Sequence, residues 1–242
     1  MTERLPIVDA IVPKELVFPL SQHIGAPCQP LVKVGDRVLR GQKIADSDAP
    51  VSAPIHSSVS GQVTAIELRP GPDGQEVMSI VVSNDGLDEE AAPLATNKEI
   101  DQLSSDEIVR IVREAGIVGM GGAGFPTHYK LVPPQGTKIE AVILNGAECE
   151  PYLTCDHRLM VEKPEQVVLG LRLIMKAVGV DKAYIGVEEN KPDAIAAMQQ
   201  ASKPFAGIEV VPLQVKYPQG AELMLIKAIT GRELPFGKLP AD

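Results

Sequence analysis

The hydrophobic period changes once along this chain, near residue 103, and that change limits what it can fold into. Up to about residue 85, apolar and polar residues alternate, as in Val32-Lys33-Val34-Gly35-Asp36-Arg37-Val38 and Val59-Ser60-Gly61-Gln62-Val63-Thr64-Ala65-Ile66. A period of two is that of a half-buried strand, and Gly35-Asp36 supplies a turn. From residue 103 the pattern becomes helical. Ser104 and Glu107 have capping-box spacing ahead of Ile108, Val109, Ile111 and Val112, and Gly116 can close that helix in a left-handed turn. Pro164 to Ala177 with Gly179 behind it, Pro192 to about Ala201, and Gln219 to Ile229 with Gly231 behind it read as further helices. Between them, Ile139–Leu144, Ala183–Val187 and Ile208–Val215 read as strands, the last at an edge because Pro212 cannot donate to a ladder. Alternating strands and helices predict an α/β domain with a mostly parallel sheet. The chain thus divides into a β module over 1–85, an acidic linker over 86–102 and an α/β domain over 103–242.

Composition narrows the function classes. The chain has 242 residues, 44% hydrophobic and 23% charged, which is enough for two packed cores. A net charge of −9 argues against nucleic acid as a partner, because such proteins meet phosphates with a basic face. No run approaches the roughly 20 apolar residues of a membrane span. The start, MTERLPIVDAIVPKELVFPL, is charged and broken by prolines, so a signal peptide is not expected. Three cysteines without a CxxC predict neither a disulfide framework nor a metal site, and imply a reducing cytoplasmic setting.

Two segments carry the chemistry. Gly119-Met120-Gly121-Gly122-Ala123-Gly124-Phe125-Pro126-Thr127-His128-Tyr129-Lys130 holds four glycines in six residues. Such a backbone can approach a ligand closely and turn its N–H groups to an anion, with Lys130 as a point charge. It matches neither the dinucleotide fingerprint nor the P-loop, so a phosphate cradle and a plain irregular turn both stay open. Asn145-Gly146-Ala147-Glu148-Cys149-Glu150-Pro151 follows a strand directly, which places it where ligands of parallel sheets bind. Its residues can hydrogen-bond a heterocycle or a ribose, or can form a solvated acidic loop. Elsewhere, His23 and Cys28 are read as a structural loop rather than a metal site, and His56 as a turn residue. Asp156-His157-Arg158 lacks the serine a hydrolase needs. Glu188-Glu189-Asn190 is read as a solvated turn at a strand end.

Taken together, these segments resemble known families. VKVGDRVLRGQKIADSDAPVSAPIHSSVSGQVTAI resembles the lipoyl/biotinyl β-sandwich, a barrel-sandwich hybrid. The hairpin tip where a carrier of that type has lysine is Asp46-Ser47-Asp48, so a structural module without a prosthetic group is expected. GMGGAGFPTHYK and NGAECEP resemble the flavin- and NADH-binding subunit of respiratory complex I, with its Rossmann-like domain. With QHIGAPC, APIHSSVSG, NGAECEPY and GAELMLIKAITGRE, the whole chain resembles the N-terminal part of the C subunit of the Rnf ion-translocating ferredoxin:NAD oxidoreductase complex.

The resemblance implies FMN and NAD(H) as cofactors, with no catalytic side chain because the cofactors carry the chemistry. Gly119, Gly121, Gly122 and Ala123 would line the FMN phosphate and ribityl chain, with Lys130 near the FMN. Asn145 and Glu148 would meet the FMN region. Phe125 would stack on the adenine of NADH, Glu150 would hold its ribose, and Tyr217 and Gly220 would lie beside the flavin. Met120, Ala147, Cys149 and Ala221 stand where complex I has arginine, aspartate, serine and glutamate. The resemblance further implies an electron-input role at the cytoplasmic face of the bacterial inner membrane. The partners would be other subunits of the membrane complex and, through them, ferredoxin. Four-iron clusters are expected only in a C-terminal region beyond this stretch. The alternatives are a cobalamin reductase-like flavoprotein and a non-catalytic docking scaffold.

Overall fold

The computed structural model describes residues 2–71, 74–94, 98–120 and 124–240. The chain forms two compact units, one of residues 10–132 and one of residues 1–9 with 133–242.

In the first unit, β1 (Glu15–Pro19), β7 (Glu76–Asn84), β6 (Gly61–Pro70) and β3 (Arg37–Val38) form an antiparallel sheet in the order β1-β7-β6-β3. β2 (Gln29–Pro30), β4 (Lys43–Asp46) and β5 (Ile55–His56) form a second, antiparallel sheet. Phe18, Val38, Val63, Ile80 and Val82 of the first sheet share one buried cluster with Ile44 and Ile55 of the second, so the module is a β-sandwich as the period-two pattern and the resemblance imply. The Gly35-Asp36 turn is present, closed by the Asp36 amide on the Lys33 carbonyl at 3.1 Å. The strands that flank it pair elsewhere, β2 with β4 and β3 with β6. Residues 85–91, of which 86–91 are read from sequence as the start of the linker, are tied along β3. Arg37 meets Asp85 at 3.1 Å and Glu89 at 3.0 Å, and the Ala91 amide donates to the Arg40 carbonyl at 2.8 Å.

Helix α1 (Ser105–Glu114) belongs to this unit. Its capping box is formed as the spacing predicts, with the Glu107 amide 3.2 Å from the Ser104 hydroxyl and the Ser104 amide 2.9 Å from the Glu107 carboxylate. Arg113 at its last turn donates to Asp46 at 3.1 Å and to the Ser47 carbonyl at 2.9 Å, and Lys43 meets both Asp46 (2.9 Å) and Glu114 (2.5 Å). The tip that a carrier holds free is here tied to a helix. The change of hydrophobic period at 103 is therefore not where the compact units part, because these ion pairs join residues on either side of it.

The network makes stability pH-dependent. The hydrogen bond from Lys43 holds the Glu114 carboxyl below its ordinary 4.5. Burial alone would raise Asp46, but Lys43, the Ser47 amide and Arg113 outweigh it and hold it below its ordinary 3.8. A carboxyl depressed on folding contributes stability that is complete above its unfolded pKa and lost as pH falls through the folded one. Urea midpoints should therefore fall as pH drops below these ordinary values, and Arg113→Ala should reduce that slope. An unchanged slope in the variant would show that the network carries none of the acid sensitivity.

The second unit is α/β. β8 (Val142–Gly146), β9 (Ala183–Glu188) and β10 (Ile208–Leu213) form a parallel sheet with β9 in the middle, so β10 is an edge as Pro212 predicts. Helices α4 (Pro164–Val178), α5 (Pro192–Ser202) and α6 (Glu222–Thr230) alternate with the strands, and Gly179 and Gly231 end α4 and α6 in left-handed caps. Several boundaries move, with β8 ending at Gly146 rather than Leu144 and β10 at Leu213 rather than Val215. β8 begins at Val142 rather than Ile139, and α6 begins at Glu222 rather than Gln219. Between β8 and α4 stands α3 (Cys155–Glu162), which the sequence pattern did not reveal. The first residues of the chain pack here, with the Ile7 amide on the Glu162 carboxylate (3.1 Å) and the Thr2 and Thr154 hydroxyls 2.7 Å apart. Ile185 and Val187 of β9 are fully buried among Val168, Leu171, Met175 and Met198 of the helices. Each contributes about 1.5–3 kcal/mol by leaving water.

Candidate functional site at the strand ends

The carboxyl ends of β8 and β10 each run into a loop before a helix, and the side chains there join the two loops. Asn145, near the end of β8, donates its amide to the Gly220 carbonyl at 2.8 Å. The Cys149 thiol accepts the Gly220 amide at 3.2 Å. A side chain at position 220 would start 3.3 Å from the Cys149 sulfur and 3.5 Å from Asn145 Oδ1, so the absence of one lets the loops meet this closely.

Glu148 is 8% exposed and adopts φ +43°, a left-handed backbone. That turn carries its carboxylate under α3, where Oε1 accepts the Asp156 amide (2.7 Å) and Oε2 the His157 amide (3.1 Å). The first N–H groups of a helix lack internal partners and attract negative charge, so Glu148 caps α3 from upstream where Thr154 makes no side-chain cap. Glu150, in the same loop, is exposed, with the Cys149 thiol 3.9 Å from its carboxylate. One loop thus holds a carboxylate engaged internally and a second that solvent reaches.

Tyr217 is 70% exposed, while Gln219 is 1% exposed and its Oε1 is buried without a donor. Tyr152 is 95% exposed and also left-handed, at φ +69°. A non-glycine residue there costs about 1–2 kcal/mol, and glycine returns part of this to the unfolded chain. Tyr152→Gly should raise the urea-unfolding stability by about 0.5–1 kcal/mol. A lowered midpoint would mean the tyrosine ring contributes packing that its exposure does not suggest.

Other residues singled out from sequence have structural partners. Asp156, His157 and Arg158 do not act as a set. His157 is buried with Nε2 2.8 Å from Asp193, and Arg158 pairs with Glu162 at 2.7 Å. Glu188 is not a solvated residue. It is 2% exposed and faces Lys191, 8% exposed, at 3.4 Å. No sequence signal marked Lys191, which reads as a surface lysine ahead of a helix.

In the other unit, the described ends of the glycine-rich segment lie side by side. The Gly119 amide donates to the Phe125 carbonyl at 2.9 Å, and Val118 bridges Pro126. Gly124 adopts φ +61°, and its carbonyl accepts the Ile24 amide at 3.2 Å, so the QHIGAPC loop holds Gly124. Gly121, Gly122 and Ala123 lie outside the described residues. Phe125 packs edge-on against Tyr129 at 5.8 Å, with the Lys130 ammonium 5.6 Å from its ring centre. Met120 is almost fully exposed. His23 Nε2 lies 3.1 Å from the Ala53 amide and carbonyl, and Cys28, buried, donates to the Ala53 carbonyl at 3.2 Å. Burial pushes the Cys28 thiol up, away from the reactive thiolate.

Residues 112–242 match the family described as the Nuo51 FMN-binding domain. The chain belongs to that family. Ahead of this FMN-binding domain, residues 1–87 match the RnfC barrel sandwich hybrid domain. Over its full length the chain is 51% identical to the C subunit of the Na(+)-translocating ferredoxin:NAD(+) oxidoreductase complex of Acetobacterium woodii, covering 54% of that protein. It is 51% identical to the C subunit of the proton-translocating ferredoxin:NAD(+) oxidoreductase complex of Clostridium ljungdahlii, covering 52% of it. It is 43% identical to the C subunit of the ion-translocating oxidoreductase complex of Vibrio cholerae, covering 31% of it. The chain thus spans about half the length of the first two relatives, and the resemblance carried by the motifs extends over all its residues. Among the described residues, no helix is long and apolar enough to cross a membrane.

Proposed function

We propose that the chain binds FMN and NAD(H) and forms the electron-input part of an Rnf-type membrane complex. In that role it passes electrons between NAD(H) and ferredoxin, coupled to ion translocation. The observation that carries the reading is the strand-end arrangement in a chain of the FMN-binding family. Solvent reaches Glu150 and Tyr217, and Gln219 keeps a buried acceptor without a donor. An unsatisfied buried acceptor costs about 1–3 kcal/mol, so its presence fits a site completed by a ligand's N–H or O–H.

FMN, when bound, supplies the hydride and electron chemistry. The chain's own residues bind and orient. Glu150 would accept both ribose hydroxyls of NADH. Tyr217 and Gly220 would lie beside the flavin, and Asn145 would fix the loop that meets it. As the resemblance implies, Gly119, Gly121, Gly122 and Ala123 would line the phosphate and ribityl chain, Lys130 would add charge, and Phe125 would stack on the adenine. Glu148 acts at one remove, by holding α3 and the turn that aims Glu150. The chain would work at the cytoplasmic face of the inner membrane, held peripherally by the other subunits.

The test is a titration of the purified chain with FMN, followed by flavin fluorescence, and then addition of NADH under anaerobic conditions. Quenching that saturates, followed by bleaching of the bound flavin, is expected. Absence of FMN binding would favour the docking-scaffold alternative.

A further inference from the structure

The Glu188–Lys191 pair lies beneath both strand-end loops. Glu188 ends β9, the central strand. Its Oε1 accepts the Lys216 amide at 3.2 Å, in the loop between β10 and α6, and its Oε2 lies 3.4 Å from Lys191 Nζ. The same ammonium lies 3.3 Å from the Ala147 carbonyl, in the loop after β8, and 3.3 Å from Asn190 Oδ1. Lys216 in turn accepts the Gln219 amide on its carbonyl at 2.9 Å, so the chain of bonds reaches the buried glutamine. We propose that Glu188 and Lys191 are positioning residues of the strand-end site, a neutral buried pair that sets the β8 loop and the loop before α6 in one register.

A buried ion pair adds little stability that two apolar side chains of the same size would not, because its desolvation cost offsets most of its attraction. What apolar side chains cannot do is satisfy backbone groups. Without the pair, the Ala147 carbonyl and the Lys216 amide lose these partners, and buried backbone groups do not stay unpaired without cost. The loops would then shift to find other partners. The carboxylate cancels the ammonium, so the pair supports the loops without adding net charge beneath a bound anion. The Asn145–Gly220 and Cys149–Gly220 bonds join the same loops above it, and their geometry depends on the register beneath.

The inference rests on the flavin reading only for its ligand arm, and its first arm needs no ligand. In the 242-residue chain, Glu188→Met with Lys191→Met removes both charges and both hydrogen-bonding groups and nearly keeps the volume. Lys191→Met alone would strand a buried carboxylate and risk unfolding. Hydrogen exchange on the ligand-free protein should show the amides of 147–150 and 216–220 opening at least about tenfold faster in the double variant, with the β9 amides unchanged. Lys191→Arg, which keeps the charge, should keep most of the protection. Loops that exchange as in wild type, or β9 amides that speed up by the same factor, would overturn the proposal. In the second arm, FMN and NADH should each bind at least about tenfold more weakly to the double variant. Unchanged binding despite loosened loops would also overturn it. If the wild-type chain binds neither nucleotide while the loops still loosen together, the flavin reading falls and the coupling of the loops stands.

Discussion

Replacing Gly116 with alanine should destabilise the unit of residues 10–132 by roughly 3 kcal/mol. Gly116 follows α1 at φ +66°, where an L side chain strains the backbone by about 1–2 kcal/mol. Its missing Cβ would lie 2.3 Å from the Pro54 carbonyl oxygen and 3.1 Å from His56 Nδ1. The carbonyl is backbone and cannot swing away as a flexible side chain would, so helix and sandwich must separate, at a further cost of about 1–3 kcal/mol. Urea denaturation of the variant measures the sum. His56 gives an independent reading. Burial, and secondarily the Lys43 charge, hold its imidazole below the ordinary 6.5. If the alanine pushes α1 off, the His56 titration followed by NMR should move back up. A midpoint within a few tenths of a kcal/mol of wild type, with His56 still depressed, would show that α1 does not seat on residues 54–56.

Glu150→Gln should weaken NADH binding by about ten- to a hundredfold and leave FMN binding near wild type. Glu150 is the carboxylate of the β8 loop that solvent reaches, whereas both oxygens of Glu148 are engaged by the α3 amides. A carboxylate accepts from both ribose hydroxyls, and an amide of the same shape keeps one acceptor oxygen. A charge-assisted hydrogen bond contributes roughly 1.5–3 kcal/mol, which sets the range. The measurement is the NADH concentration that half-saturates reduction of bound flavin in stopped flow. Glu148→Gln is the contrast: it weakens the cap on α3, so its first effect should be on stability. If Glu150→Gln leaves the half-saturating NADH unchanged, or loses FMN instead, the ribose assignment is wrong.

The capping box at Ser104, the left-handed caps at Gly179 and Gly231 and the edge position of β10 were all legible in the sequence, because each depends on residues within a few positions of one another. So was the placing of Asn145 to Glu150 at a strand end. Helix α3 was not, because its N-terminal cap comes from Glu148 rather than from the residue before it, and Thr154 carries no capping bond. The local pattern there reads only as an acidic stretch running into Asp156-His157-Arg158.

The sequence by itself determined the two kinds of structure, the order of their elements and the motifs that mark the family, since period, turn chemistry and spacing act locally. Only the tertiary structure decided which charged residues meet. It joined α1 to the sandwich through Arg113, Asp46 and Lys43, turned one glutamate of NGAECEP inward and left the other outward, and paired Glu188 with Lys191 beneath two loops. Such pairings form only after distant segments have been brought together and water excluded. A charged side chain reads as solvated in sequence until the fold supplies its partner.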